Sequence, residues 1–324
     1  RQPSFPNDEF EQLRRSSLTG IDTQRSDPSA LAGLALSRHL NPYPPEHWLY
    51  TATLDERSAR LQALSLDEVK GCYADFYGAS DSELAVVGDF DPEEIARLAQ
   101  ELFGDWKSPR PYARIPLRIA EVAPADDVIN TPDKANAVLR AGMLLRLRDD
   151  NPDYPALVLG NYLFGGSSDS RLMRRIREKE GLSYSVGSFL SADSFFERGS
   201  FGTFAIYAPQ NRARVEAALA EELRLALAEG FSPEEVEAGK KGLLQARQLA
   251  RSSDGTVASR LASYLVLGRT FAWDEQLERR IAALTPSAVV EALRRHIDPA
   301  KLSVVKAGDF SSVAANPPGP NRAN

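Results

Sequence analysis

The sequence predicts an α+β protein in which helices pack as one layer against a layer of short β-rich runs. Three observations predict it. The 324 residues, 43% hydrophobic and 26% charged, have globular composition and length for about two domains. Stretches with helical apolar spacing alternate with short runs rich in β-branched residues. And one segment occurs twice: Leu64-Ser65 opens a stretch ending in Gly88-Asp89-Phe90, and Leu284-Thr285 opens another ending in Gly308-Asp309-Phe310, offset by 220 at both ends.

Taken in order, the first copy has two long helical stretches broken at Arg25-Ser26-Asp27-Pro28. Ser65-Leu66-Asp67-Glu68 then places Ser65 as an N-cap. A helix follows, then a strand over Leu84-Ala85-Val86-Val87 and a helix from Asp91 to Phe103. Pro109 and Pro111 break the pattern, making 109–118 a linker. Next come strands (Asp127 to Ile129, Ala137 to Leu145), helices (Tyr154 to Leu163, Ser170 to Glu180) and strands again (Tyr184 to Leu190, Gly199 to Tyr207). A second break, Ser252-Ser253-Asp254-Gly255, precedes the helix capped by Thr285 and a strand over Leu302-Ser303-Val304-Val305. The division expected is thus 1–108, the back part of a truncated lobe; the linker; 119–312, a complete lobe; and a disordered Pro/Gly-rich tail, 313–324. The first copy has no counterpart of the strands and helices over Ile119 to Pro209, and Arg1-Gln2-Pro3 resembles neither a chain start nor a leader. A missing front half of roughly a hundred residues is therefore expected.

The net charge of −6 argues against a nucleic-acid partner, which needs a basic face. No apolar run is long enough for a membrane span. A single cysteine, Cys72, excludes an internal disulfide and a multi-cysteine zinc site, and its apolar-spaced surroundings predict a buried thiol. The three histidines, His39, His47 and His296, form no H-x-x-E-H pattern, so no metal is expected on this chain. Asp126-Asp127 and Asp149-Asp150 read as solvated turn residues.

The stretch from Leu163 to Tyr184 carries the chemistry. A helix runs into Gly165-Gly166, and a new helix starts on Ser/Asp capping residues around Ser170. Arg171, Arg174, Arg175 and Lys179 take its flanks and outer face, and Gly181 closes it. Arg177, in the last turn, and Tyr184, starting a strand, then come together. An arginine and a tyrosine hydroxyl can hold a peptide carbonyl, or the oxyanion that grows on it. The other reading of the same spacing is a surface ion pair for Arg177 and a packed Tyr184. The glycine pair lacks the G-K-[ST] ending of a phosphate loop.

The run Gly165-Gly166, Ser170-Arg171-Leu172, Arg177-Glu178-Lys179, Gly181-Leu182 and Tyr184-Ser185-Val186 resembles the inactive-domain motif of the insulinase/pitrilysin metallopeptidases. The resemblance covers nearly the whole chain. It implies a clamshell of homologous lobes, each with a mostly antiparallel sheet packed against helices. This chain would be third-lobe-like to 108 and fourth-lobe-like over 119–312. Arg177 and Tyr184 would bind substrate, with Gly165, Gly166, Ser170, Arg171 and Gly181 supporting the motif. Zinc is then expected on a partner half, in the same polypeptide or another subunit, with a peptide as substrate and this chain inactive alone. Asn41-Pro42-Tyr43-Pro44-Pro45 stands where zinc-bearing halves have His-Pro-Tyr. Similar Arg/Tyr motifs occur in second lobes of zinc-bearing halves, which keeps a front-half fragment open. So are a homodimer, a periplasmic home (as in bacterial tandem members), and a non-catalytic scaffold role like that of respiratory-complex core subunits.

Overall fold

The protein is described here from a computed structural model, in which residues 1–315 are described. The helices are α1 (Asn7–Gln24), α2 (Pro28–Leu40), α3 (Leu54–Ala63), α4 (Leu66–Phe76), α5 (Pro92–Phe103), α6 (Tyr154–Asn161), α7 (Arg212–Ala228), α8 (Pro233–Ala250), α9 (Asp254–Leu267), α10 (Phe271–Ala282), α11 (Pro286–His296) and α12 (Phe310–Ala315). The strands are β1 (Asp126–Asn130), β2 (Ala137–Leu145), β3 (Ser183–Ala192), β4 (Gly199–Tyr207) and β5 (Ser303–Gly308). Of the tail expected to be disordered, 313–324, residues 313–315 belong to α12 and 316–324 lie outside the described residues.

Two compact units interleave along the chain. The first comprises 1–21, 54–116 and 244–276, and the second, among the described residues, 22–53, 117–243 and 277–315. The first is helical. Ser65 caps α4 in a reciprocal box with Glu68, which satisfies two amides that the helix leaves open. A charged cluster ties α8, α9 and α10 in this unit. Asp274, 3% exposed at its side chain, accepts from Arg247 at 2.5 Å and Arg260 at 2.7 Å, and from the Tyr264 hydroxyl at 2.6 Å. Burial, then the bond to Asp274, pushes the Tyr264 pKa upward.

Two expectations fail in this unit. Leu84-Ala85-Val86-Val87 forms no strand. A strand exists only against a neighbour that pairs its amides and carbonyls, and the described part of this unit offers none; Leu84 and Val86 stand exposed. Cys72 is exposed as well, since no residue of α4 is buried.

The second unit is built on a five-stranded sheet of order β1-β5-β2-β4-β3. Only the β1–β5 pair is parallel. Residues alternate between its faces. Ala137, Leu139, Ala141, Met143 and Leu145 of β2 join Phe201, Ala205 and Tyr207 of β4 in the main core, against α6, α7 and α11. On the opposite face, α2 covers β5 and β2 through Ala32, Leu36 and Leu40. Asp27 caps α2 through the Ala30 amide, and Thr285 caps α11. Of the acidic pairs, Asp150 is the exposed turn residue expected, whereas Asp126 and Asp127, though exposed, lie in β1. Asp149 is 8% exposed and accepts from the Ser194 hydroxyl at 2.6 Å, because the β3–β4 turn folds over it.

Candidate functional site

The glycine pair is dictated by how closely a helical turn approaches β3. After α6 the chain widens into a π-helical turn, Tyr162–Gly166, a geometry concentrated at functional sites. A Cβ on Gly165 would stand 2.6 Å from both the amide N and the Oγ of Ser188. One on Gly166 would meet Asn161 Nδ2 at 2.9 Å. Asn161 locks the contact, its Oδ1 accepting from Ser188 Oγ at 2.8 Å. Gly165→Ala should therefore push β3 off the turn and destabilise the protein by about 1–3 kcal/mol. Urea denaturation checks this; an unchanged midpoint would mean that the turn yields freely.

The following helix is π-helical over Met173–Lys179. It ends at Gly181, whose φ of 60° is left-handed and suits glycine. Its start departs from the capping expected: Ser170 is 1% exposed and its Oγ has no partner, because the side chain is packed inside rather than turned to the open amides.

The cations of this helix have different jobs. Arg171 makes a two-pronged pair with Glu235 at 2.9 and 2.7 Å and lies over the Phe231 ring. The bond to Glu235 raises the Arg171 pKa and lowers that of Glu235. Arg175 reaches three carboxylates, Glu180, Glu221 and Glu222. Arg174 donates to the Asp169 carbonyl. Arg177 is exposed and has no hydrogen bond or ion pair among the described residues. It lines a shallow groove of about 390 Å³ together with Tyr184, Gly165, Gly166, Met173 and Phe204.

Tyr184 reaches that groove through a β-bulge. The β3–β4 register shifts between Ser183 and Ser185, so Tyr184 is the extra residue, turned outward and 60% exposed. Ser183 fixes the bulge: its Oγ donates to the carbonyls of Ser185 and Ile206 and accepts from the Ser185 amide. Of the residues expected at the site, Gly165, Gly166, Arg177 and Tyr184 thus share one groove. Arg171, Ser170 and Gly181 shape the helix beside it. Sequence reading misses Ser183 and the rings laid on glycines, Phe204 against Gly187 and Phe189 against Gly202. The alternation of glycine and aromatic residues along β3 and β4 is the signal that could have found them.

No group of three or more His, Cys, Asp or Glu able to hold a metal occurs among the described residues. His39 bonds the Ala123 carbonyl, His47 stacks on Tyr43, and His296 sits 2.9 Å from Asp153. No described helix is long and apolar enough to cross a membrane.

The family profile described as the peptidase M16 inactive domain matches residues 63–243. An uncharacterized zinc protease of Streptomyces coelicolor is 30% identical over 237 residues, covering 71% of this chain and 50% of that protein. The non-peptidase homolog YmxG of Helicobacter pylori is 22% identical over 303 residues, covering 92% and 67%. The chain spans about half the length of the curated zinc proteases it matches. Among solved structures, the peptidase M16 inactive domain from Pseudomonas fluorescens superposes with a TM-score of 0.78 at 25% identity, covering 95% of this chain and 71% of that one. The periplasmic protease PqqL from Escherichia coli gives 0.70 at 16% identity, covering 92% and 32%.

Proposed function

This chain belongs to the peptidase M16 inactive-domain family, whose members form half of peptidase-like proteins, and from that premise we propose that it binds and orients a peptide for hydrolysis by a zinc-bearing half. The observation that carries the reading is the free guanidinium of Arg177 beside the bulged-out Tyr184 on one open groove. The other arginines of this motif, Arg171, Arg174 and Arg175, are held by protein groups; Arg177 is left to a ligand. Its N–H fork and the tyrosine hydroxyl donate to the carbonyl of the bond to be cut, and hold the oxyanion as it grows. Among the described residues no group of His, Cys, Asp or Glu could hold a zinc ion, and this reading assigns activation of water to the partner half. The name of the S. coelicolor relative as a zinc protease supports this.

The repeat belongs to the same reading. Helices α4 and α11 start at 66 and 286 and end at 76 and 296, a shift of 220 at each end. That spacing supports two homologous lobes, the first lacking the sheet that the second has. A non-catalytic scaffold role is the second reading, favoured by the description of YmxG as a non-peptidase homolog. A peptidase assay of this chain alone, of the zinc-bearing half alone and of the mixture separates them. Activity appearing only in the mixture is expected; a mixture no faster than the zinc half alone would overturn the reading.

A further inference from the structure

The face of the sheet under α2 is only partly covered. Leu36 and Leu40 pack onto Gly142, where a Cβ would stand 3.3 and 3.5 Å from their methyl carbons. Beyond them, β4 and β3 continue the face uncovered, and a trough of about 410 Å³ lies between α2 and Phe189. Its walls are apolar at Leu36, Leu40, Leu144 and Phe189, and its cation is Arg198.

Arg198 is half-buried and has no acidic partner. One Nη donates to Asn41 Oδ1 at 2.5 Å, and no carboxylate lies within ion-pair distance among the described residues. Asn41 is itself fixed, donating through Nδ2 to the Ser37 carbonyl at 2.8 Å. Asp193 also lines the trough. Its Oδ1 is engaged by the amides of Phe195 and Phe196, both at 2.7 Å, so that carboxylate serves the β3–β4 turn and does not pair with the arginine. A cation is thus held in place by a neutral carbonyl oxygen at the edge of an apolar trough, with the rest of its N–H fork open.

We propose that this trough captures the C-terminal residue of a peptide, its carboxylate on Arg198 and its apolar side chain against Leu36, Leu40, Leu144 and Phe189. The proposal rests on the reading that this unit handles peptides, and adds which end of the peptide it recognises. Charge complementarity selects a carboxylate, since a planar guanidinium fork matches its two oxygens. The adjoining apolar walls select the chain terminus. Carboxylate and side chain there diverge from one Cα, so a single residue meets both features. An internal glutamate would leave the walls to another residue.

The test measures binding to the intact chain by fluorescence anisotropy, with an N-terminally labelled hexapeptide ending in leucine. Three forms are compared: the free acid, the C-terminal amide, and the amide with an internal glutamate. The free acid is expected to bind at least about 10-fold more tightly than either amide, the scale of one charge-assisted hydrogen bond. Arg198→Gln should abolish the preference, and a glycine terminus should weaken binding of the acid. Equal affinity for acid and amide, an internal-glutamate amide that binds as well as the acid, or a preference surviving Arg198→Gln would each overturn the proposal, as would no binding of any form at millimolar peptide. If Arg198→Gln does not fold, the acid-to-amide ratio of the unsubstituted chain and of Arg198→Lys decides. Because the measurement needs no zinc half, its outcome is separate from that of the mixing assay.

Discussion

Asp274→Ala is expected to lower the stability of the first unit by about 3–5 kcal/mol, the scale for removing one partner from a buried ionic cluster. The reason is what remains. Arg247 and Arg260, with 18% and 27% of their side chains exposed, both converge on one Asp274 oxygen, and Tyr264 donates to the other. Without the carboxylate, two cations face each other across a site that water reaches poorly, and a buried hydroxyl loses its acceptor. Asp274→Asn keeps an acceptor for the hydroxyl but not the charge, and should fall between. Chemical denaturation followed by tryptophan fluorescence reads this directly, since Trp273 adjoins Tyr264. A midpoint that moves no further for alanine than for asparagine would show that the charge, and not the hydrogen bond to Tyr264, holds the cluster.

Arg177→Ala is expected to cut kcat/KM of the mixed peptidase by about 10- to 100-fold, the equivalent of one charge-assisted hydrogen bond to the substrate. The fold should not suffer, because Arg177 has no partner among the described residues. Circular dichroism should match that of the unsubstituted chain. If the guanidinium holds the developing oxyanion, the loss falls on kcat; if it only holds the ground-state carbonyl, it falls on KM. Arg177→Lys keeps the charge without the planar fork and should recover part of the rate. Unchanged kinetics in Arg177→Ala would remove the residue from the mechanism.

What was legible in the sequence was local. Ser65 and Thr285 cap their helices as read, because an N-cap needs only a side chain and an amide two or three residues on. The bounds of β2 and β4, Ala137–Leu145 and Gly199–Tyr207, match the apolar runs. The meeting of Arg177 and Tyr184 in one groove was also legible, since a single helix-to-strand turn separates them. What was not legible depends on distant chain. Which arginine stays unpaired is decided by Glu221, Glu222 and Glu235, 46 to 64 residues away from their arginine partners. Leu84–Val87 has the composition of a strand, but pairing is a property of its neighbour. Asp149 looked solvated because nothing local announces that Ser194 closes over it.

The position of β5 has a consequence for how the protein is made. β5, at Ser303–Gly308, is the last of the described strands, yet it lies between β1 and β2, and Val305 and Ala307 complete the patch beneath α2. As the chain leaves the ribosome, β1 and β2 emerge well over a hundred residues before the strand that joins them. Until then both keep an edge open to pairing with other chains. The second unit therefore closes only once β5 has been made, and a nascent chain stalled before residue 303 carries an exposed gap in the middle of its sheet.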